Sequence, residues 1–329
     1  MTGVRYLGGR LFKALLMVLA VLVLAFLLIH LAPGDPAQLL AGEAGGDDVQ
    51  FVEQLRQTMG LDKPLLQQLL IYLGNVAHLD LGYSYRNQAS VWSLIAERLP
   101  ATLALMGSAF VLSSVLGVAL GVVAARARRK GHWLDSVISQ GALLFYAVPS
   151  FWLGMLFILV FSVSLDWLPA FGMETVARDL SGGAWLWDRC LHLLLPCVSL
   201  SLLYLGLYVQ LTRASLLEVF GQEFVRTAHA KGLRPRRILY VHVLRNALLP
   251  VVTFAGLQMG QLASNTLLVE VVYSWPGLGR LMYDSLAQRD YGVLMGGFLV
   301  ISVVVVSFNV LSDVICRVLD PRIAAGGQA

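Results

Sequence analysis

Apolar residues along this chain fall into six runs, at about 11–31, 102–124, 137–164, 192–212, 248–270 and 293–316. A helix needs about 20 residues to cross the hydrocarbon layer of a bilayer, so each run predicts one membrane-spanning helix. The first run is unbroken from Ala14 to Ile29 and follows Arg5, Arg10 and Lys13. It exceeds the roughly 7–15 apolar residues of a cleavable signal core and is expected to stay as a helix. Residues 32–99 behave differently: "VQFVEQLRQTMG" and "PLLQQLLIYLGNVAHLDLG" repeat apolar positions at helical spacing. They predict short amphipathic helices, serving either to dock a partner or to cover the spanning helices. A connection of that length without structure of its own would be unusual. The expected organisation is therefore all-α and integral to the membrane. Residues 1–98 hold one spanning helix and a long loop, and residues 99–329 hold a core of five more.

Composition agrees with the pattern. Apolar residues make up 57% of the 329 and charged residues 13%, against about 45–50% and 25% in soluble domains. Cys190, Cys197 and Cys316 lie far apart with no CxxC pair, which argues against a disulfide framework or a zinc site. Charge gives the orientation. With spans placed as above, 16 Lys and Arg fall on the side of the two termini and 8 on the other, while acidic residues divide 5 to 15. Basic loops stay in the cytoplasm, so both termini and the 213–247 loop are expected inside. The 32–99 loop, with "APGDP" at 32–36 and the acidic Glu43, Asp47 and Asp48, is expected outside.

Charge is almost absent from the centres of the spans; His30, His192, Arg213 and Glu270 stand at their ends. Ionisable groups at depth mark proton and ion paths, so their absence counts against ion-driven transport. The fifth span is the most polar. Gln258, Gln261 and Asn265 recur at i, i+3 and i+7, with Ser264 beside them. Such amides line a water-filled path or bond to a neighbouring helix, and uncharged amides suit a substrate recognised through peptide groups. Pro149 reads as a packing kink within the third span, and Glu270 as an external gate or partner contact.

One segment does not fit its apolar surroundings. The 213–247 loop is longer than a connection requires and contains "EFVRTAHAKGLRPRRILYVHVLRNALLP" at 223–250. Phe220, Phe224 and Ala228 recur every four residues, flanked by Glu223, Arg226 and Lys231, and Gly232 and Pro235 follow as helix stop and turn. A short projecting helix of this kind fits a groove on another protein, or else lies against anionic lipid.

"EFVRTAHAKGL" with "RNALLP" resembles the cytoplasmic EAA loop of ABC importer permeases, in the form of the dipeptide, oligopeptide and nickel branch. Other stretches agree in order along nearly the whole chain: "HLAPGDPA", "ERLPATLAL", "VPSFWLGMLFILVFSVSLDWLPAFG", "TRASLLEVF", "VVYSWPGLGRLMYDSLAQRDY" and "LDPR". Arg226-Thr227-Ala228 stands where the general pattern has Glu-Ala-Ala, and Gly232 lies further from the following Leu-Pro than in sugar-type permeases; both departures resemble the peptide branch.

The resemblance implies the type I importer permease fold in the bacterial inner membrane. It also implies a heterodimer with a second permease, two cytoplasmic ATPase subunits that bind ATP and Mg, an external solute-binding protein, and no role for nucleic acid. Residues Glu223, Phe224, Val225, Arg226, Thr227, Ala228, Ala230, Lys231 and Gly232 would form the ATPase-coupling helix. Phe224 would insert, and Arg226 and Lys231 would meet acidic residues of the ATPase. The chain has no P-loop and is expected to bind no cofactor and to catalyse nothing itself. Peptide is the implied cargo; nickel, a metal chelate or glutathione is the alternative within the family. An ATP-independent channel or secondary carrier is the alternative outside it.

Overall fold

The computed structural model of the chain describes residues 2–31, 37–38, 41, 49–58, 60–175 and 180–319. The "APGDP" motif, the acidic patch and all of "LDPR" after Leu319 lie outside the described residues.

Eleven α-helices of eight or more residues and one small hairpin make up the described elements. They are α1 (Thr2–Leu31), α2 (Val49–Thr58), α3 (Leu65–Ala77), β1 (Tyr83–Ser84), β2 (Ala89–Ser90), α4 (Val91–Arg129) and α5 (Leu134–Ala147). They continue with α6 (Ser150–Phe157), α7 (Gly182–Phe220), α8 (Glu223–Ala230), α9 (Pro235–Val272), α10 (Leu278–Ala287) and α11 (Tyr291–Leu319). The strands pair antiparallel, Tyr83 with Ser90 and Ser84 with Ala89. This hairpin is the one departure from the all-helical expectation among the described residues.

Among the described residues five helices are long and apolar enough to cross a membrane, and the bent pair α5–α6 makes a sixth crossing if counted as one span. The 137–164 run is thus not the straight helix its hydropathy predicts. Proline has no N–H and pushes the residue before it out of the helical region. Accordingly Val148 is extended (φ −89°, ψ 131°), Pro149 sits at φ −60°, ψ 134°, and the chain turns by 100° before α6 begins at Ser150. Pro149 is a break rather than a packing kink. From Ile158 to Ser164 the helix continues in wider π-type turns.

Two compact units account for the contacts. The first comprises residues 1–100 and Gly277–Val306, the second Ala101–Pro276 and the chain from Ser307. In the first, Ile29, Val91, Ile95, Leu278, Met282, Val293 and Leu294 form the core. The hairpin is fixed by Ser84, which donates to the Asp290 carboxylate, and by Asn87, which bonds both. In α3 no residue is fully buried, although several are half-buried and His30 of α1 meets Gln68 at 3.0 Å.

Close helix packing governs the second unit. Gly117 and Gly121 of α4 lie one turn apart against Tyr208 and Thr212 of α7, and a Cβ on Gly121 would stand 2.6 Å from that of Thr212. Small residues at this spacing let two backbones approach. The α7 helix is 39 residues long, about 58 Å at 1.5 Å per residue, well beyond a hydrocarbon layer of about 30 Å. The surplus carries it on to α8.

Candidate functional site

Local chemistry explains α8. Gln222 precedes it in an extended conformation, Glu223 stands in its first turn where the helix dipole favours an acid, and Gly232 ends the following turn at φ +72°. That left-handed conformation suits glycine, and no atom lies within 4 Å of a Cβ built there.

Packing divides α8 into two faces. Val225 and Ala228 are buried with Ala125 of α4, Leu216 and Val219 of α7, and Ile238, Leu239, Val243 and Ala247 of α9. Phe224 is 39% exposed, and Glu223, Arg226, Thr227, Ala230, Lys231 and Gly232 are exposed. This corrects the stripe read from the sequence. Ala228 is on the inward face with Val225, so neither side chain is free to meet a partner. Phe220 belongs to the end of α7, half-buried, with the Arg129 guanidinium 4.2 Å from its ring centre.

The exposed face is tied together locally. Arg226 donates to Glu223 at 2.8 Å, Thr227 Oγ1 donates to the Glu223 carbonyl, and His229 Nδ1 lies 2.9 Å from the carbonyl of Val225. Lys231, Arg234, Arg236 and Arg237 are exposed beyond it. A single aromatic side chain thus stands on a basic surface whose only acid on the helix is Glu223.

The amide stripe of α9 is distributed over different surroundings. Gln258 is buried and neither amide atom has a hydrogen-bond partner. Gln261 and Ser264 are exposed, and Asn265 donates to the Tyr204 hydroxyl of α7. The positions share a face by spacing, but the exposed line runs through Leu257, Gln261, Ser264 and Leu268. Gln258 lies a quarter-turn to one side, within the chain. Tyr208 of α7, stacked edge-on against Phe254 at 5.3 Å, also has an unpartnered buried hydroxyl.

Glu270 is fully buried and accepts a hydrogen bond from Thr102 Oγ1 at 2.6 Å. Its carboxylate is used inside the chain, where it cannot touch a partner directly. The residues after it, which read as a turn, are anchors: Trp275 donates to the Ala101 carbonyl at 2.9 Å, and the buried Tyr273 hydroxyl bonds Ser199 at 2.7 Å.

Sequence reasoning missed two features. Arg213 of α7 grips Asp135 of α5 through both carboxylate oxygens, Nη2 to Oδ2 at 2.7 Å, with the Asp135 side chain 5% exposed. A lone acid among the four basic residues of the 125–136 loop was the signal that could have found it. The first unit also contains a cavity of about 450 Å³ lined by Phe26, His30, Lys63, Tyr72, Tyr83 and Asp290 among others. Burial leaves the Tyr72 hydroxyl without a partner and pushes its pKa up to about 12, so it stays protonated.

Residues 117–325 match the family of binding-protein-dependent transport system inner membrane components, and residues 3–106 match the N-terminal family of the same systems. A di/tripeptide transport system permease protein of Pseudomonas aeruginosa, DppB, is 38% identical over 92% of this chain and 94% of its own length. The dipeptide transport system permease protein DppB of Escherichia coli K12 is 38% identical over 93% and 94%. A putative peptide transport system permease protein of Brucella abortus is 38% identical over 95% and 97%. Two crystal forms of the inward-facing MetNI methionine ABC transporter superpose with TM-scores of 0.53 and 0.55, at 19% and 20% identity. They cover 70% and 69% of this chain and 97% and 96% of theirs, a likeness of fold: that of the type I ABC importer permeases. Two family matches along nearly the whole length, five or six candidate crossings and this fold agree: the chain is a multi-pass protein that belongs to the inner-membrane components of binding-protein-dependent transport systems.

Proposed function

We propose that the chain is the membrane subunit of an ATP-driven importer of peptides. The observation that carries the cargo is the 38% identity, over more than nine-tenths of the chain, to permeases named for dipeptide and di/tripeptide transport. In this reading the chain pairs with a second, similar permease. Two ATPase subunits bind ATP and Mg and supply the energy, and an external binding protein delivers the peptide. The chain itself binds no cofactor.

The exposed face of α8 is the ATPase-docking surface. Phe224 supplies an apolar anchor, and Arg226, Lys231 and the arginines beyond them suit an acidic rim on the partner. With both termini in the cytoplasm, α8 lies on the side where ATP is found. Gln261 and Ser264, on the exposed line of α9, are the residues that face the translocation path, with Asn265 at its edge.

Uptake of a labelled dipeptide by cells lacking this gene, with and without the restored chain, tests the cargo. Uptake is expected to fall to background and return with the gene. Unchanged dipeptide uptake together with lost nickel or glutathione uptake would move the assignment to the family's other cargoes.

A further inference from the structure

Three contacts join α5 to α7 in antiparallel register. At Gly206 of α7 a Cβ would overlap the carbonyl of Ala142, so the two backbones touch there. One turn on, Gln210 Nε2 donates to the Ser139 carbonyl at 3.0 Å. One turn further, Arg213 closes on Asp135 with two parallel hydrogen bonds. As numbers rise through 206, 210 and 213 on α7, they fall through 142, 139 and 135 on α5. Each set occupies one stripe of its helix.

The last contact differs in kind. Apolar side chains let one helix slide or rotate against another, whereas a guanidinium bound to both oxygens of a carboxylate fixes position and rotation together. Asp135 is also approached by Arg128 at 4.0 Å and by Ser139 Oγ at 3.5 Å, so its carboxylate is held from several sides. Arg213 stands seven residues before the end of α7, and in that last stretch Leu216 and Val219 share a buried cluster with Val225 and Ala228 of α8. At its other end α5 runs into the 100° bend and α6.

We propose that Arg213 and Asp135 are positioning residues of the transport cycle, a clamp that makes α5, the first arm of the bent span, move as one body with α7 and α8. The proposal rests on α8 being the ATPase-docking helix. A force applied at α8 then reaches the bend at Pro149 without loss at the α5–α7 boundary.

The test uses the complete transporter in liposomes with its ATPases and binding protein, measuring peptide delivered per ATP hydrolysed. Asp135→Asn and Arg213→Gln are expected to keep their ATPases and hydrolyse ATP while the transport-to-hydrolysis ratio falls at least about tenfold, within the usual range of coupling effects. The exchanged pair Asp135→Arg with Arg213→Asp is expected to regain much of that ratio. A ratio within twofold of the parent in both single variants overturns the clamp.

A second arm leaves the ion pair intact and so does not depend on assembly of the single variants. In a chain with Cys190, Cys197 and Cys316 replaced by Ala, Ser139→Cys with Gln210→Cys is bridged by a short thiol cross-linker. Helices that move together tolerate the bridge, so transport is expected to persist. Transport abolished on bridging, with ATP hydrolysis intact, shows that α5 and α7 must slide past each other and overturns the proposal. Failure of the docking reading is seen separately, as a Phe224→Ala transporter that keeps its ATPases and full coupling.

Discussion

Phe224 and Val225 are neighbours in sequence with opposite surroundings, and they predict opposite phenotypes. Val225 is 1% exposed in the cluster beneath α8, Phe224 39% exposed above it. Truncating Val225 to Ala removes buried methyl groups and should cost about 1.5 kcal/mol or more of stability, read as a lower midpoint in thermal unfolding of the detergent-solubilised chain. Phe224→Ala should leave that midpoint in place and weaken ATPase binding by about 2–4 kcal/mol if the ring is an anchor. Loss of the ATPases on purification checks it; their full retention places the ring elsewhere. Gly232→Val acts through the backbone, since a left-handed conformation costs an L-residue about 1–2 kcal/mol. The expected result is normal insertion with poor coupling. Gln258 gives a prediction of the other sign. Unpaired buried polar groups cost about 1–3 kcal/mol each, so Gln258→Leu should unfold no earlier than the parent. A clear drop in its midpoint would mean that the amide is bonded in the resting protein.

Helices were largely legible from hydropathy, but their ends and breaks were not. Six apolar runs predicted six crossings because hydropathy measures transfer into lipid, and that property is local. The runs at 102–124 and 192–212 belong to helices of 39 residues, α4 and α7. Beyond the lipid the same helices go on with polar residues, which hydropathy cannot assign. The break at Val148–Pro149 was visible as a proline, yet its 100° bend depends on both Val148 and Pro149 taking extended conformations. On α8, periodicity found the element but chose the wrong stripe. In an eight-residue helix a single residue separates the i, i+3 stripe from the i, i+4 stripe, and the cluster beneath decides which is buried. Close packing yields its own prediction. Gly206→Ala drives a methyl into the Ala142 carbonyl, whereas Gly141→Ala meets nothing within 4 Å. The first should lower thermal stability by about 1–3 kcal/mol, the usual cost of overpacking, and the second should leave it no lower, since Ala favours a helix interior over Gly.

Across the whole molecule, the family was readable from ordered motifs while much of the chemistry was not. Glu270 looked like an external gate or partner contact because it precedes a turn-rich stretch. Its burial against Thr102, and the anchoring of Trp275 on Ala101, bring together residues more than 160 positions apart. No local pattern records such contacts. Orientation, by contrast, is a prediction from summed charge. A reporter fused after Arg322 should behave as cytoplasmic, and one inserted at Gly45 as external. Labelling of position 45 from the cytoplasmic side alone would reverse the topology.

The bend between α5 and α6 has a consequence for what surrounds it. A helix end leaves backbone N–H and C=O groups without partners along the chain. Two such ends meet at Val148–Pro149, at the break of the bent pair that makes a sixth crossing when counted as one span, and Ala147 and Pro149 are exposed on the chain's own surface. Hydrocarbon offers those groups no hydrogen bond, and each one left bare costs several kcal/mol. With the bent pair as one crossing, fatty acyl tails are therefore excluded from this corner of the subunit. Whatever fills it, solvent or another polypeptide, must be able to donate and accept protons in hydrogen bonds, and a lipid-soluble probe reacting in the bilayer should leave the corner unlabelled.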